Sequence, residues 1–160
     1  MDTRDKVDLI IFDFDGVLTD NAVFVFEDGR EAVRCNRADG LAFDMFRAAG
    51  MPVAIMSTER NSVVRARGDK LKVPVIQAVA DKGAAIQALA VERGVSLDRI
   101  MFVGNDLNDL SAMRLGGYPV SVSDGHETVR RAARIVLAAK GGEGAARELA
   151  EIVFGLGGGW

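Results

Sequence analysis

The sequence predicts an α/β protein, a doubly wound and mostly parallel sheet in one domain over residues 1–154, with a β-hairpin inserted at about 22–35. Three observations predict it. Short runs of β-branched and aromatic residues alternate with longer segments whose apolar residues recur at helical spacing. Several runs end on polar residues suited to chemistry: Asp13 and Asp15, then Ser57, then Asn105 with Asp106. The chain has 160 residues, enough for one full core and too few for two ordinary domains.

Taken in order, residues 7–12 are apolar apart from Asp8, and residues 9–12 run unbroken up to Asp13, as expected of a strand covered on both faces. Residues 22–26 and 31–35 flank an Asp28-Gly29 turn and read as a hairpin. Leu41, Phe43, Met45 and Phe46 open a helix that stops near Gly50, and residues 52–56 form the next buried strand. A helix at 61–71 and a short strand at 73–76 follow. Residues 82–93 carry Ala85, Ile86, Leu89 and Ala90 on one helical face, with Gly94 as the stop. Strands at 100–103, 120–122 and 135–137 alternate with helices at 107–115 and 127–133. After a glycine-rich loop at 141–144 comes a last helix at 145–153, and residues 155–160 read as a mobile tail.

Composition excludes several classes. The net charge is −3 and the basic residues are scattered, so no nucleic-acid partner is expected. No apolar stretch is long enough to span a bilayer, and none has the pattern of a secretory leader, which makes the cytoplasm the expected compartment. The single cysteine, Cys35, has no partner for an internal disulfide and reads as a small hydrophobe.

The chemistry gathers at the strand ends. Asp13 and Asp15 are two apart, so in extended backbone both point the same way while Phe14 faces the core. Paired carboxylates repel unless a cation lies between them or one is protonated, and Mg²⁺ is the usual cation where a phosphate completes the shell. Asp106 and Asp109 share the first turn of a helix after Gly104, a glycine that would let the backbone turn. Ser57 suits a donor to a phosphate oxygen or an N-cap for the next helix. Lys82 is electrostatically misplaced in a first helical turn, which suits a phosphate clamp.

These residues, in this order, resemble the haloacid dehalogenase-like (HAD-like) phosphatases. The resemblance spans nearly the whole chain: Asp-x-Asp at Asp13 and Asp15, the hydroxyl at Ser57, the lysine at Lys82, and the acid pair Asp106 and Asp109. It implies a Rossmannoid fold and a phosphoric monoester hydrolase, with Asp13 as nucleophile and Asp15 as acid and base. It further implies Mg²⁺ held by Asp13, Asp15 and Asp106, phosphate bound by Ser57 and Lys82, and support from Asp109 and Asn105. Family members often carry a cap domain between these motifs. The intervals here have no room for one.

A narrower resemblance rests on 13–20, on Ser57-Thr58-Glu59-Arg60, on 70–73, on 104–109 and on 141–148. These segments look like the capless branch of 3-deoxy-D-manno-octulosonate 8-phosphate phosphatases, nonulosonate 9-phosphate phosphatases and the phosphatase-like domain of acylneuraminate cytidylyltransferases. That branch implies a homotetramer in which hairpins meet and neighbouring subunits cover each other's sites. The apolar hairpin residues 23–26 suit such burial, the alternative being packing on the chain's own sheet. Glu59, where octulosonate enzymes have glycine, tips the expected substrate towards the nine-carbon sugar acids. Arg67 and Lys70, one helical turn apart, suit a substrate carboxylate; Arg147 matches an arginine of the branch that reaches a site. The other readings are a catalytically idle tetramerisation domain serving a cytidylyltransferase and a receiver-like phosphoacceptor. The first would be favoured by loss of a catalytic residue; Asp15 and the Asp106–Asp109 pair argue against the second.

Overall fold

A computed structural model describes residues 6–156 of the chain. One six-stranded sheet organises it, every neighbouring pair parallel, in the order β5-β4-β1-β6-β7-β8. The strands are β1 (Leu9–Phe12), β4 (Val53–Met56), β5 (Val75–Ile76), β6 (Ile100–Gly104), β7 (Tyr118–Ser121) and β8 (Ile135–Val136). The expected doubly wound sheet is therefore present. The hairpin, β2 (Thr19–Val25) with β3 (Glu31–Cys35), forms a separate antiparallel pair. β2 begins earlier than its apolar run, and its register shifts between Thr19 and Val23, where Asn21 takes a φ of 66°.

The period-2 pattern of the strands sorts the core into two layers. Ile10 and Phe12 of β1, with Met101 and Val103 of β6, face α1 (Arg37–Ala48), α2 (Ser62–Leu71) and α6 (Ala145–Val153). Leu9, Ile11, Ile100 and Phe102 face the other way, towards α3 (Lys82–Arg93), α4 (Leu110–Leu115) and α5 (Glu127–Ala132). Both faces of β1 and β6 are thus covered, which is why their sequences are unbroken apolar runs. On the first face Phe12 meets Phe43 edge-on with ring centroids 5.2 Å apart.

Helix starts follow side-chain caps more closely than apolar periodicity. Asn36 caps α1 through the Ala38 N–H at 2.8 Å, so the helix begins ahead of its first apolar residue, Leu41. Asn61 caps α2 through Val63 N–H, and Asp81 caps α3 through Gly83 and Ala84 N–H. The expected helix at 107–115 is a 3₁₀ turn at Leu107–Asp109 leading into α4. The expected tail lies mostly outside the described residues; Gly155 and Leu156 close α6, with Leu156 N–H donating to Glu151 O at 2.8 Å.

Candidate active site

β1 is flanked by β4 on one side and β6 on the other, and the chain winds outward in both directions from it. The carboxyl ends of these three strands form the switch point at which ligands bind in open α/β sheets. Asp13 follows β1, Ser57 follows β4, and Asn105 and Asp106 follow β6.

Lys82 joins the first and last of these ends. It enters from the first turn of α3 and is 1% exposed, so it is not a solvated surface lysine. Its Nζ lies 2.7 Å from Asp13 Oδ1 and 2.6 Å from Asp109 Oδ1. Burial alone would push its pKa down; the charges of Asp13 and Asp109 outweigh that and hold it above the ordinary lysine value. Asp109 also accepts the N–H groups of Asn105 and Asp106 on Oδ2, at 2.8 and 3.1 Å, closing a capping box with Asp106. Gly104 allows this close approach: a Cβ there would sit 2.6 Å from Asp109 Cβ. Its φ is not in the left-handed region, so the glycine supplies space and not the turn that its position suggested.

Asp13 is nearly enclosed, and Phe14 N–H donates to its Oδ1 at 2.7 Å. Burial, then the charge of Asp109, pushes its carboxyl up to about 7 against the opposing effect of Lys82. One ammonium faces two buried carboxylates, so the site is short of positive charge. The Asn105 amide nitrogen, in the orientation its neighbours favour, donates to Asp15 O at 2.9 Å and Asp13 Oδ2 at 3.2 Å. Those two oxygens therefore converge on a single point. Gly16 makes room for that amide: its φ is +81°, and a Cβ there would lie 2.0 Å from the other terminal atom of the Asn105 amide, its oxygen in this orientation.

This donor set suits Mg²⁺ by its hard oxygens and its missing positive charge. Among the described residues no three His, Cys, Asp or Glu side chains cluster as a ready metal cage. Mg²⁺ does not require one, since it is commonly held by one or two carboxylates together with waters and phosphate oxygens. Asp106 follows β6 and is exposed, and its Oδ1 accepts Leu107 N–H at 2.7 Å.

Ser57 is buried, and its Oγ accepts Glu59 N–H at 3.1 Å, leaving the hydroxyl proton for another acceptor. It does not cap α2, a task that falls to Asn61. Asp15 is half-buried and, with exposed Glu59, lines a cleft of about 200 Å³ beside the hairpin. Burial, then the charge of Glu59, raises the Asp15 pKa.

The remaining candidates stand elsewhere. Arg67 and Lys70 line a second cleft of about 450 Å³ with Arg37, Arg47 and Lys72, where Arg67 donates to Asn36 O at 2.9 Å. Arg147 pairs with Glu151 of its own helix at 2.7 Å. Two features escaped the sequence reading. Asp39 is 1% exposed within α1, and the glycines at 141–142 pack on the loop after β1. An acid on the apolar face of the first helix was the visible signal for Asp39.

Comparison with known proteins decides the family. The family model for haloacid dehalogenase-like hydrolases matches residues 57–149. The chain belongs to that family. A putative HAD family hydrolase from Streptomyces avermitilis has 43% sequence identity and a TM-score of 0.92, over 95% of this chain and 87% of that one. A 3-deoxy-D-manno-octulosonate 8-phosphate phosphatase from Moraxella catarrhalis, solved with magnesium, phosphate and KDO, has 29% identity and a TM-score of 0.91, over 96% and 88%. The curated 3-deoxy-D-manno-octulosonate 8-phosphate phosphatase of Yersinia pestis is 28% identical over 93% of this chain and 80% of its own length. Membership of this hydrolase family sets the receiver-like reading aside.

Proposed function

We propose that the protein is a Mg²⁺-dependent phosphomonoesterase that removes phosphate from a phosphorylated 2-keto-3-deoxy sugar acid through an aspartyl-phosphate. The observation that carries this reading is the buried Asp13–Lys82–Asp109 constellation at the switch point, beside two oxygens that converge on one point. Asp13 attacks phosphorus in line; the bond from phosphorus to the sugar oxygen breaks, and Asp15 gives that oxygen a proton. Asp15 then takes a proton from the water that cleaves the aspartyl-phosphate, releasing inorganic phosphate and restoring both acids. Ser57 and Lys82 bind phosphate oxygens, Asp109 holds Lys82 in place, and Asn105 orients the Asp13 and Asp15 oxygens. Asp13, the Asp15 carbonyl and Asp106 would hold the cation. When bound, it offsets the negative charge between the nucleophile and the phosphoryl group. An intact set of these residues disfavours the idle-domain alternative.

The names of the curated relatives favour the eight-carbon octulosonate 8-phosphate. Glu59 beside Asp15 favours a nine-carbon acid, whose additional hydroxyl gives a carboxylate something to bind. Arg67 and Lys70 are proposed to meet the substrate carboxylate and Arg147 to reach a substrate site, with subunits completing each other's sites. The hairpin supports a homotetramer: Phe24 is 70% exposed and Val25 67%, an apolar surface that does not pack on the chain's own sheet. Among the described residues no helix is long and apolar enough to cross a membrane, and the cytoplasm is proposed as the compartment.

Phosphate release with Mg²⁺, measured on the eight- and nine-carbon phosphorylated keto acids side by side, tests the proposal. Turnover of at least one is expected, with Asp13→Asn losing at least about a thousand-fold in kcat while its circular dichroism stays native. Near-normal turnover in that variant would remove Asp13 as the nucleophile.

A further inference from the structure

Asp39 belongs to α1, outside the acids at the strand ends, yet it is a carboxyl only 1% exposed. Its Oδ1 accepts Arg147 N–H at 3.2 Å, and the Ala146 N–H also points at this carboxylate. These are first-turn amides of α6. The N-cap of α6 is Gly144, at a φ of 92° and without a side chain to offer, so a residue of another helix does the capping. Among the described residues Asp39 Oδ2 has no hydrogen-bond partner. Burial pushes the carboxyl up to about 6 against the Arg147 and Ala146 N–H groups and, after them, the Arg67 charge from α2; Cys35 at the end of β3 feels the Asp39 charge in turn. An acid held this way costs stability, so its retention calls for a gain elsewhere.

That gain lies at the other end of the loop before α6. Gly142 N–H donates to Val17 O at 3.0 Å, and Gly141 N–H to Asp124 Oδ1 at 2.9 Å. A Cβ on Gly141 would sit 2.1 Å from Gly16 O, and one on Gly142 2.4 Å from Asp20 N. The glycine loop is thus a strap pressed backbone-to-backbone on the segment directly after Asp15. Because α6 follows at once, its position along α1 sets where the strap lies.

We infer that Asp39 is a positioning residue, which by capping α6 seats the Gly141–Gly142 strap on the Gly16–Thr19 loop and so aligns Asp15. This deepens the phosphatase reading and rests on it for its kinetic readout. Asp39→Ala loses the cap; Asp39→Asn keeps an acceptor for the same amides. Gly141→Ala disturbs the strap from its other end, and serves if Asp39→Ala does not fold.

The test combines Mg²⁺-dependent hydrolysis of p-nitrophenyl phosphate with amide hydrogen exchange on the full-length protein. Asp39→Ala and Gly141→Ala are expected to lose about tenfold in kcat with KM within about twofold, while Asp39→Asn restores kcat. Exchange should quicken at residues 16–19 in both impaired variants. If they keep wild-type kcat per folded molecule, or if faster exchange stays within α1 and α6, Asp39 is a structural cap only and the inference is overturned. A wild-type protein that turns over neither this ester nor the eight- and nine-carbon keto-acid phosphates would sink the phosphatase reading instead, and exchange at residues 16–19 would still decide the strap.

Discussion

Lys82 Nζ lies 2.6 Å from Asp109 Oδ1, and both side chains are fully enclosed. Asp109 has no spare acceptor for a substitution to exploit, because its other oxygen takes two backbone N–H groups. An amide at this position must turn its nitrogen towards either the ammonium or those two donors. Lys82 still pairs with Asp13 in Asp109→Asn, so no buried charge is left alone, and the expected loss is about 1–3 kcal/mol, that of a buried hydrogen-bonding group left unsatisfied. Urea unfolding at neutral pH measures it. A loss below about 1 kcal/mol would mean the pair is solvated and the clamp loose.

Asp39 supplies a pH-dependent prediction. Its carboxyl is raised from 3.8 to about 6 on folding, so the folded state holds that proton more tightly than the unfolded chain. The cost of its charge is absent below the unfolded pKa, grows as pH rises from about 4 to 6, and is constant above. Asp39→Asn removes the titration while keeping the cap. Its stability relative to the wild type should therefore rise by about 2–3 kcal/mol between pH ~4 and ~7, which urea melts across that window would show. A difference that does not change with pH would contradict the raised value.

Gly16 tests the geometry of the first acid loop. Alanine there must hold a φ of +81° and also displace the Asn105 amide 2.0 Å away. The conformation alone should cost about 1–2 kcal/mol, with the clash adding to it. Combining Gly16→Ala with Asn105→Ala removes the clash, so the two losses should be less than additive in denaturant melts. Strict additivity would mean that the residues do not touch.

The hairpin prediction concerns assembly. Phe24 is 70% exposed, so Phe24→Glu should leave monomer stability within about 0.5 kcal/mol. It should shift sedimentation from a tetramer to smaller species, because a carboxylate would have to be buried at each copy of the interface. An unchanged sedimentation coefficient would show that the hairpins do not meet.

Much of the molecule was legible along the chain because its signals are local. Residues 9–12 read as a buried strand since β1 is covered on both faces and each of these positions is apolar. The spacing of Asp13 to Asp15 carried the acid pair, and the positions of Ser57 and Lys82 in their intervals completed the motif. The first cap was less legible: Asn36 starts α1 ahead of its apolar periodicity and before Leu41, whereas α2 begins within one residue of the expected 61–71. Glu59 and Lys70 were both candidates for the substrate, yet they line different clefts.

What the sequence determined by itself, then, was the fold class, the family and the acids at the strand ends, all properties of short-range pattern and order. Only the tertiary structure decided what those acids touch. Lys82 is 27 residues from Asp109 along the chain, and Asp39 is 108 from Arg147. Such pairs are made by the stacking of helices on the two faces of the sheet, and the same packing strips away the water that would otherwise screen them. Asp13 is therefore a nucleophile candidate by its place in the sequence, and a buried acid pushed up to about 7 only by the company that the fold brings to it.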